Sequence, residues 1–313
     1  MKASIPCVGR VKPFMTKDIK FDAEIGIYIA MSDHLALFPH NSNTATVWDM
    51  ENDRSLGLLE GHTREIFRAS INNIKKEAVT VQGVRENDVY PVKIWSLETM
   101  QCTANLTATS WAARLLKDRL LLGYSGGPIK VWDIGGNTPL ALMDLEGHTD
   151  HIYSIDTSDS SNVALTASAD HSVRLWDLRT GQCVRVMEGH EDAVNSVSMD
   201  SACKTAVSGS DDENVKLWDL GSGRCIETFD HGQIVYDVMM HELGSSFISV
   251  GGGIVKAWST ASGPDQPLLD ADLSALCGED GFLGGAASRD LSRVGLCYWT
   301  PDDVVKIGVS VWK

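Results

Sequence analysis

Two stretches of this chain decide its fold, because they carry the same pattern twice. Residues 147–177 read GHTDHIYSIDTSDSSNVALTASADHSVRLWD, and residues 189–219 read GHEDAVNSVSMDSACKTAVSGSDDENVKLWD. Each stretch opens on Gly-His, alternates apolar and polar residues as half-buried strands do, and closes on Trp-Asp. Self-similarity at a fixed period predicts an array of stacked repeats rather than an ordinary domain.

The closing tryptophan recurs along the rest of the chain. It ends a short β-type run at Trp48, Trp95, Trp132, Trp176, Trp218 and Trp258, with spacings of 47, 37, 44, 42 and 40 residues. Gly61-His62 opens another unit, and Asp230-His231 is a degenerate version of the same pair. The runs between the markers are rich in β-formers and broken by Asp, Gly and Ser turns, so the sequence predicts an all-β protein.

These residues resemble the WD-repeat family, whose units of roughly 40–45 residues form four-stranded blades with a Gly-His to Trp-Asp signature. The resemblance covers about residue 25 to the end. Six marked units and a final stretch of about one repeat length imply a seven-bladed β-propeller with four antiparallel strands per blade. Residues 1–24 are expected to form an N-terminal segment, and residues 25–313 a single propeller.

Two ways of closing the ring stay open at this stage. In the first, Ser274–Asp280, Phe282–Ala287, Val294–Trp299 and Val304–Trp312 are the four strands of the last blade, and the N-terminal segment adds an edge strand or lies across the ring. In the second, the N-terminal segment within Ile5–Phe14 supplies the outer strand. Either arrangement removes sheet edges that would otherwise invite aggregation.

The resemblance also implies a buried polar tetrad in the two best repeats. The expected members are His148, Ser168, Asp170 and Trp176 in one blade, and His190, Ser210, Asp212 and Trp218 in the next. A buried indole and a buried imidazole each need a hydrogen-bond partner, which the hydroxyl and the carboxylate supply. Because the same residues recur in successive blades, the set is explained structurally and no catalytic residues are expected.

Other units lack the tetrad. The turns before Trp132 and Trp258 are rich in glycine, so those blades are expected to be held by apolar packing and glycine turns. An insertion near Gln82–Asn87 predicts a protruding loop. The chain has no Walker-type glycine loop, no HExxH and no Cys/His metal spacing, so we expect neither an enzyme, nor a cofactor, nor a bound metal.

The composition of the chain limits the classes of partner and the location that we expect. The 27 basic and 42 acidic residues give a formal charge of −15, which argues against nucleic acid and favours basic protein segments. Seven Cys without a CxxC pair argue against a disulfide framework. No apolar run approaches the roughly 18 residues of a membrane helix, and the start does not resemble a secretory signal. We therefore expect a cytoplasmic or nuclear protein, monomeric by itself, that does not bind membranes.

In the WD-repeat family, partners are commonly gripped on the face where the innermost strands begin. Counting five residues from each Gly-His histidine, and matching the other units to these, gives Tyr28, Phe67, Trp111, Tyr153, Asn195 and Tyr236, with Ser274 for the last blade. Five of these seven positions are aromatic, although only 7% of the chain is aromatic. Glu65, His151, Asp192 and Asp211 are expected nearby, and aromatic faces beside carboxylates suit a Lys or Arg side chain. Packing at the channel mouth, a peptide-binding surface and a small-molecule pocket all remain open.

A second candidate site is the box Trp176-Asp177-Leu178-Arg179. It matches the Trp-Asp-x-Arg box of WD-repeat substrate receptors of cullin–RING ubiquitin ligases, in which the arginine docks on the adaptor. The alternative is that Arg179 simply begins the turn that ends at Gln182. The favoured prediction is a non-catalytic scaffold or adaptor that binds proteins or peptides on the face around the channel. The sequence names neither the partner nor the face.

Overall fold

The computed structural model describes most of the chain. The described residues are 13–20, 30–32, 34–41, 43–72, 74–82, 90–108, 110–124, 126–136, 138–158, 162–264, 267–272, 282–288, 290–291, 293–299 and 304–311. Every regular element in these ranges is a β-strand. None of the described residues forms a helix that is long and apolar enough to cross a bilayer.

The strands are short and follow one another closely. The first are β1 (Pro13–Lys20), β2 (Ala30–Met31), β3 (Leu35–Asn41), β4 (Thr44–Asp49), β5 (Arg54–Leu59), β6 (Ile66–Asn72), β7 (Glu77–Gln82), β8 (Tyr90–Ser96) and β9 (Gln101–Ala108). The middle ones are β10 (Ser110–Leu116), β11 (Arg119–Tyr124), β12 (Ile129–Asp133), β13 (Leu140–Leu145), β14 (Ile152–Ser158), β15 (Val163–Ser168), β16 (Val173–Asp177), β17 (Gln182–Met187), β18 (Val194–Met199), β19 (Thr205–Ser210), β20 (Asn214–Asp219) and β21 (Arg224–Asp230). The last are β22 (Asp237–Met240), β23 (Ser246–Gly251), β24 (Ile254–Ser259), β25 (Leu269–Asp272), β26 (Phe282–Ala287), β27 (Arg293–Trp299) and β28 (Val304–Val311).

These strands form seven four-stranded antiparallel sheets. Six sheets consist of four consecutive strands, from β2–β5 to β22–β25. The remaining sheet has the order β1-β28-β27-β26, so a strand from the N-terminal part of the chain lies at its outer edge. This strand is Pro13–Lys20, further along the chain than the predicted Ile5–Phe14, and Phe282–Ala287 lies at the opposite edge. The expected strand Ser274–Asp280 falls outside the described residues.

The sheets are arranged side by side around a central channel, so the architecture is a β-propeller. The first strand of each consecutive sheet lies at the channel and the fourth lies outermost. β26 contacts β22 on one side and β2 on the other, and β2 in turn contacts β6. The hydrophobic core is therefore divided into wedges between neighbouring sheets. One wedge joins Val131 of β12 to Ile152 of β14 and Trp176 of β16.

Five of the six motif tryptophans coincide with a β-bulge on the outer strand; Trp258 is the exception. In five sheets the pairing between the third and fourth strands shifts by one residue just before the tryptophan. A bulge leaves one residue of the edge strand unpaired and twists the strand, which discourages pairing with another chain. The unpaired residues are Leu56, Thr103, Leu142, Val184 and Ile226.

The channel wall is joined strand to strand by side chains. The inner strands have an edge that no neighbouring strand covers, and their backbone N–H groups would otherwise be left without partners. Leu115 N donates to Ser70 Oγ (3.2 Å), Val197 N to Ser154 Oγ (3.4 Å), Met199 N to Asp156 Oδ2 (2.9 Å), Val238 N to Ser196 Oγ (3.2 Å), and Met240 N to Ser198 Oγ (3.0 Å). In every case the acceptor comes from the inner strand of the preceding sheet.

Candidate functional site

The inner strands enclose a channel of about 500 Å³. Four of the residues predicted to face its mouth share one backbone feature. Phe67, Trp111, Tyr153 and Asn195 are each the unpaired residue of a β-bulge between the first two strands of a sheet. A bulge re-aims the side chain that it carries, and these four occupy the beginning of their strands. The bulge is therefore the local reason that the side chains can turn toward the mouth.

Three of these residues and one neighbour form a continuous row of rings. Phe67 meets Trp111 edge-on at 5.2 Å between centroids. Trp111 stacks on His151 at 5.9 Å and 23°, and His151 lies 6.3 Å from Tyr153. The row spans three neighbouring sheets, and tilted or offset pairs of this kind are attractive. His151, which the sequence placed only as a polar neighbour, is thus part of the aromatic surface.

Carboxylates lie beside the end of this row. Burial, followed by the charges of Asp150 and Asp211, raises the pKa of Tyr153 above its usual value. The His151 ring is within 3.7 Å of Asp150 Oδ1, and both side chains are largely exposed. Of these two carboxylates, Asp211 was among the predicted neighbours and Asp150 was not.

Asn195 has a different role from the aromatic residues. Its side-chain amide donates to Asp211 Oδ1 (2.6 Å) and to the Val235 carbonyl oxygen (3.0 Å). Both amide hydrogens are therefore used to hold the wall between two sheets. Asn195 positions Asp211 but offers no donor of its own to a ligand.

The remaining predicted mouth residues divide into two groups. Tyr236 directly precedes β22 and is 38% exposed. Tyr28 and Ser274 lie outside the described residues. In the sheet of β1 and β26–β28 the channel strand is β26, and its bulge falls at Leu283, so Leu283 is the residue equivalent in register to Phe67 and Tyr153.

Below the mouth, opposite charges project from the channel wall. Burial lowers the pKa of Arg68, an effect that Asp237 opposes, and burial raises the pKa of Asp237 against a hydrogen bond from Ser196. Arg68 Nε donates to the Trp111 carbonyl oxygen (3.1 Å), and Asp237 accepts the Ser196 hydroxyl at 2.6 Å. Both groups thus join neighbouring inner strands. Among the described residues, no cluster of three or more His, Cys, Asp or Glu could hold a metal ion.

The buried tetrad exists, but its hydroxyl is not the predicted one. Thr166 Oγ1 accepts the Trp176 indole N–H at 2.9 Å and lies 2.8 Å from His148 Nε2, while His148 Nδ1 lies 2.8 Å from Asp170 Oδ2. A carboxylate can only accept, so Nδ1 carries the proton in the neutral ring and Nε2 accepts the hydroxyl hydrogen. In the next sheet Ser208, His190, Asp212 and Trp218 make the same contacts at 2.7, 2.7 and 2.8 Å.

The assignments of Ser168 and Ser210 to the tetrad were therefore wrong. The Ser168 hydroxyl donates to the Asp150 carbonyl oxygen and accepts the Asp170 N–H, and Ser210 does the same with Asp192 and Asp212. These serines lie one pleat beyond the tetrad hydroxyl, where the strand ends, so they hold the turn instead. The hydrogen bonds of these serines fix the turn, and the turn places the aspartate next to the histidine.

The aspartates of the two tetrads are held ionised. Burial pushes the pKa of Asp170 upward, but hydrogen bonds from His148 and Ser172 outweigh burial and leave the pKa below its usual value. The pKa of Asp212 is lowered in the same way, chiefly by the hydrogen bond from His190 against the cost of burial. The hydroxyl, imidazole and carboxylate groups of the two tetrads therefore bond to one another.

Two further sheets carry a tetrad without the aspartate. His62, Thr80 and Trp95 are joined at 2.6 and 2.7 Å, and His231, Ser249 and Trp258 at 2.9 and 2.9 Å. The expectation that the sheet ending at Trp258 relies on apolar packing and glycine turns alone was wrong. His231 is wholly buried, its Nε2 lies 3.3 Å from the Gly251 carbonyl oxygen, and a Cβ on Gly251 would overlap the Ile234 carbonyl oxygen.

The sequence held a signal for these hydroxyls. The partner of the histidine lies 18 residues after it in all four sheets: Thr80, Thr166, Ser208 and Ser249. Position 20, which the resemblance suggested, is Gln82, Ser168, Ser210 and Gly251. Only the earlier position holds a hydroxyl each time.

The sheet ending at Trp132 has apolar packing in place of the tetrad. Leu122 occupies the position of the hydroxyl, and the Trp132 indole N–H is buried with no hydrogen-bond partner among the described residues. Trp48 is in the same state, and Phe38 packs against its ring at 6.2 Å. The loop predicted near Gln82–Asn87 lies almost wholly outside the described residues.

Arg179 lies at the other end of its sheet from Tyr153. β14 and β16 both run antiparallel to β15, so the residue after β16 and the residue at the start of β14 lie at opposite ends. The Arg179 side chain is 70% exposed, and Nε and Nη2 donate to both oxygens of Asp177 at 3.1 and 2.9 Å. The hydrogen bonds from Arg179 lower the pKa of Asp177 to about 2. Arg179 thus begins the turn and is paired with a carboxylate of its own motif.

Comparison with known proteins identifies the repeats. The family model of the WD domain, G-beta repeat, matches residues 140–177 and 181–219, which contain the histidine and tryptophan of both complete tetrads and the strands β13–β20. These matches, with the relatives below, support a WD-repeat β-propeller family for the chain. Three other sheets, β2–β5, β6–β9 and β10–β13, also consist of four consecutive strands and have the same bulge beside the motif tryptophan.

Three relatives are much longer than the segments of this chain that align with them. The chain is similar to CCR4-associated factor 4 homolog of Candida glabrata, with 32% identity over 30% of this chain and 18% of that protein. It is similar to Protein tipD of Dictyostelium discoideum, with 26% identity over 51% of this chain and 26% of that protein. It is also similar to Autophagy-related protein 16 of Arabidopsis thaliana, with 28% identity over 45% of this chain and 27% of that protein. The aligned part of the chain thus spans about a quarter or less of each of these relatives.

Proposed function

We propose that this WD-repeat protein is a non-catalytic scaffold or adaptor that binds partner proteins or peptides on the face around its central channel. Propellers of this family generally present rigid surfaces to other proteins. We further infer that the sheet of β1 and β26–β28 is the seventh blade of a seven-bladed ring. The contacts of β26 with both β22 and β2 support that closure.

The observation that carries the proposal is the row of rings from Phe67 to Tyr153 at the channel mouth. Aromatic side chains supply large contact areas at low cost in conformational entropy, which is why binding hot spots use them. Trp111 is flanked by Phe67 and His151, so its ring is fixed before any partner arrives. A fixed aromatic surface loses little freedom on binding, and this favours affinity.

The charges favour a basic partner side chain. Asp150 and Asp211 lie near Tyr153, and the chain carries a formal charge of −15. A Lys or Arg side chain placed on the rings would gain cation–π contact and a charge-assisted hydrogen bond. We therefore propose basic segments of proteins as partners, rather than nucleic acid or membranes, and the cytoplasm, the nucleus or both as the location of a monomeric propeller.

An enzymatic function has less support. The His, Ser, Thr and Asp groups that could suggest hydrolysis are bonded to each other and to a buried indole. A nucleophile must be accessible to substrate and must have a free general base. Neither condition fits Thr166 and His148, which are buried.

The role as a substrate receptor of a cullin–RING ligase stays a prediction that rests on the four-residue box alone. Docking on an adaptor would require Arg179 to leave or to share Asp177, with which it forms two hydrogen bonds. Loss of adaptor capture in Arg179→Ala, with retention in Arg54→Ala, would support this role, because Arg54 is similarly exposed beside the aspartate of another Trp-Asp pair.

The proposal can be tested by quantitative affinity capture from cell extract with Tyr153→Ala/Tyr236→Ala, a double variant of the channel mouth. We expect recovery of the specific partners to fall by about tenfold, since truncating two hot-spot aromatics typically removes more than 1.4 kcal/mol of binding free energy. Leu140→Ala is the matched control, because Leu140 is 64% exposed on an outer strand far from the channel. A folded double variant that recovers the same partners in the same amounts would show that the mouth is not the binding surface.

A further inference from the structure

A basic residue precedes the motif tryptophan by two positions in five of the sheets. In each case it lies on the third strand and faces a residue of the outer strand in register. The basic residues are Lys93, Lys130, Arg174, Lys216 and Lys256.

Four of the five face a hydrogen-bond acceptor on the outer strand. The pairs are Lys93–Asn105 at 2.7 Å, Lys130–Asp144 at 2.9 Å, Lys216–Thr228 at 3.1 Å, and Lys256–Asp270 at 3.8 Å. A cross-strand pair of this kind gives the basic side chain a hydrogen-bond acceptor and stabilises the sheet modestly.

Arg174 is the exception, because Val186 occupies the facing position and cannot accept a hydrogen bond. The Arg174 Nε is buried and has no hydrogen-bond partner among the described residues. The guanidinium lies over Gly147, where a Cβ would come within 2.6 Å of Nη1. No described carboxylate lies within ion-pair distance of Arg174, so its charge has no counter-charge among the residues that the structure describes.

The outer strand β17, which pairs with the strand of Arg174, also lacks a described counter-charge for its arginine. Arg185 is exposed on the opposite side of the strand, and its guanidinium donates to the carbonyl oxygens of Gly221 and Val184 rather than to a carboxylate. Val184 and Val186 are 41% and 44% exposed. We name Arg174, Val184, Arg185 and Val186 the β17 surface. It combines two uncompensated cations with two exposed aliphatic side chains in a protein with a net charge of −15.

We propose that the β17 surface docks an acidic, aliphatic segment of another protein. A carboxylate of the segment would pair with Arg174 or Arg185, and an aliphatic side chain would cover Val184 and Val186. Charge complementarity selects this occupant, because uncompensated guanidinium groups prefer planar carboxylates and would repel a basic segment. Val184 is a bulge residue, and the bulge interrupts the edge of the strand, so side chains make the contact rather than an added strand.

The β17 surface is independent of the channel mouth. β17 is the outermost strand of its sheet and β14, which carries Tyr153, is the innermost. The two surfaces also call for opposite charges in their partners. Either one can therefore fail in experiment without affecting the other.

Nuclear magnetic resonance of the arginine side chains provides a direct test. The probe is an acetylated, amidated octapeptide of alternating Glu and Leu, and the comparison peptide alternates Lys and Leu. We expect the Nε–Hε signals of Arg174 and Arg185 to shift in a saturable way with the Glu/Leu peptide and not with the Lys/Leu peptide.

Val186→Asp is the decisive variant, because it copies the Lys130–Asp144 pair and supplies Arg174 with a carboxylate from its own sheet. We expect affinity for the Glu/Leu peptide to fall at least about tenfold, with the melting midpoint unchanged or raised. Thr228→Asp is the matched control. It adds the same charge at the same register position of the next sheet, opposite Lys216, and binding should persist.

Three results would overturn the proposal. The first is equal binding by Val186→Asp and the wild type. The second is an equal loss in Thr228→Asp, which would indicate a general effect of charge. The third is self-association of the wild type in sedimentation velocity that Val186→Asp abolishes, which would make the β17 surface a contact between two copies of this chain.

Discussion

Arg114 and Asp156 form an ion pair inside the channel, with Arg114 Nη2 donating to Asp156 Oδ1 at 2.8 Å. They belong to the inner strands of two neighbouring sheets, β10 and β14. The other oxygen of Asp156 accepts the Met199 N–H of β18 at 2.9 Å. One carboxylate therefore links three consecutive sheets of the propeller at its axis, where no strand pairing connects them.

This geometry predicts unequal effects for the two partners. Asp156→Ala should lower the free energy of unfolding by about 2 kcal/mol, because it leaves a partly buried guanidinium and a backbone N–H without acceptors. Arg114→Ala should cost less, since Asp156 keeps the N–H donors of Met199 and Thr157. Urea unfolding of the two variants measures the difference. Equal losses would mean that the carboxylate does not join the third sheet.

The corrected tetrad predicts which hydroxyl is coupled to the motif tryptophan. Thr166→Val and Trp176→Phe should show an interaction free energy of about 1 kcal/mol in a double-mutant cycle, because the Trp176 N–H donates to Thr166 Oγ1. The same cycle with Ser168→Ala should give a value near zero, since Ser168 bonds to the turn. A larger coupling for Ser168 would restore the assignment made from the sequence.

His62 predicts an acid-sensitive range of stability. Burial, with a smaller contribution from the charge of Lys93, lowers the pKa of His62 to about 4 from an unfolded value of about 6.5. The folded state therefore binds fewer protons than the unfolded state between these values. Stability contributed by the neutral ring is complete above pH about 6.5 and is lost as the pH falls toward about 4.

Thermal melting between pH 7 and pH 4 checks this expectation. His62→Gln should flatten the fall of the melting midpoint over that range, whatever its effect at neutral pH. His34→Gln is the control, because His34 is more than half exposed and lies at the surface beside Glu51. If both variants show the wild-type slope, protonation of His62 does not govern the acid response.

Much of the fold could be predicted from the sequence, because a repeat fixes its own period. The tryptophans at Trp176 and Trp218 marked the third strands, and the four-stranded unit between Gly-His and Trp-Asp followed from their spacing. The mouth residues Phe67 and Tyr153 were found by counting from the histidine. Counting succeeded there because the bulge occurs at the same register in each of these sheets.

Other features required contacts that no local pattern encodes. The resemblance suggested Ser168, two residues before the aspartate, and the recurrence of a hydroxyl 18 residues after each histidine was overlooked. The contacts across the sheet then show that Thr166 accepts the indole N–H. The outer strand is Pro13–Lys20 and not a segment within Ile5–Phe14, because its position depends on pairing with β28, which lies far away in the sequence. The stacking of Trp111 on His151 joins side chains of two sheets, so the residues next to either one in the sequence do not predict it.

The sequence by itself determined the class of the protein, the length of the repeat and the residue at the bulge that begins each of four inner strands. These properties arise from periodic burial and turn chemistry, which act over a few residues. The tertiary structure decided which hydroxyl completes the tetrad, which charge remains unpaired at Arg174 and which strand covers the outer edge of the composite sheet. Those outcomes depend on residues that lie across a sheet or in the neighbouring sheet. A buried polar group either finds a hydrogen-bond partner there or is left without one.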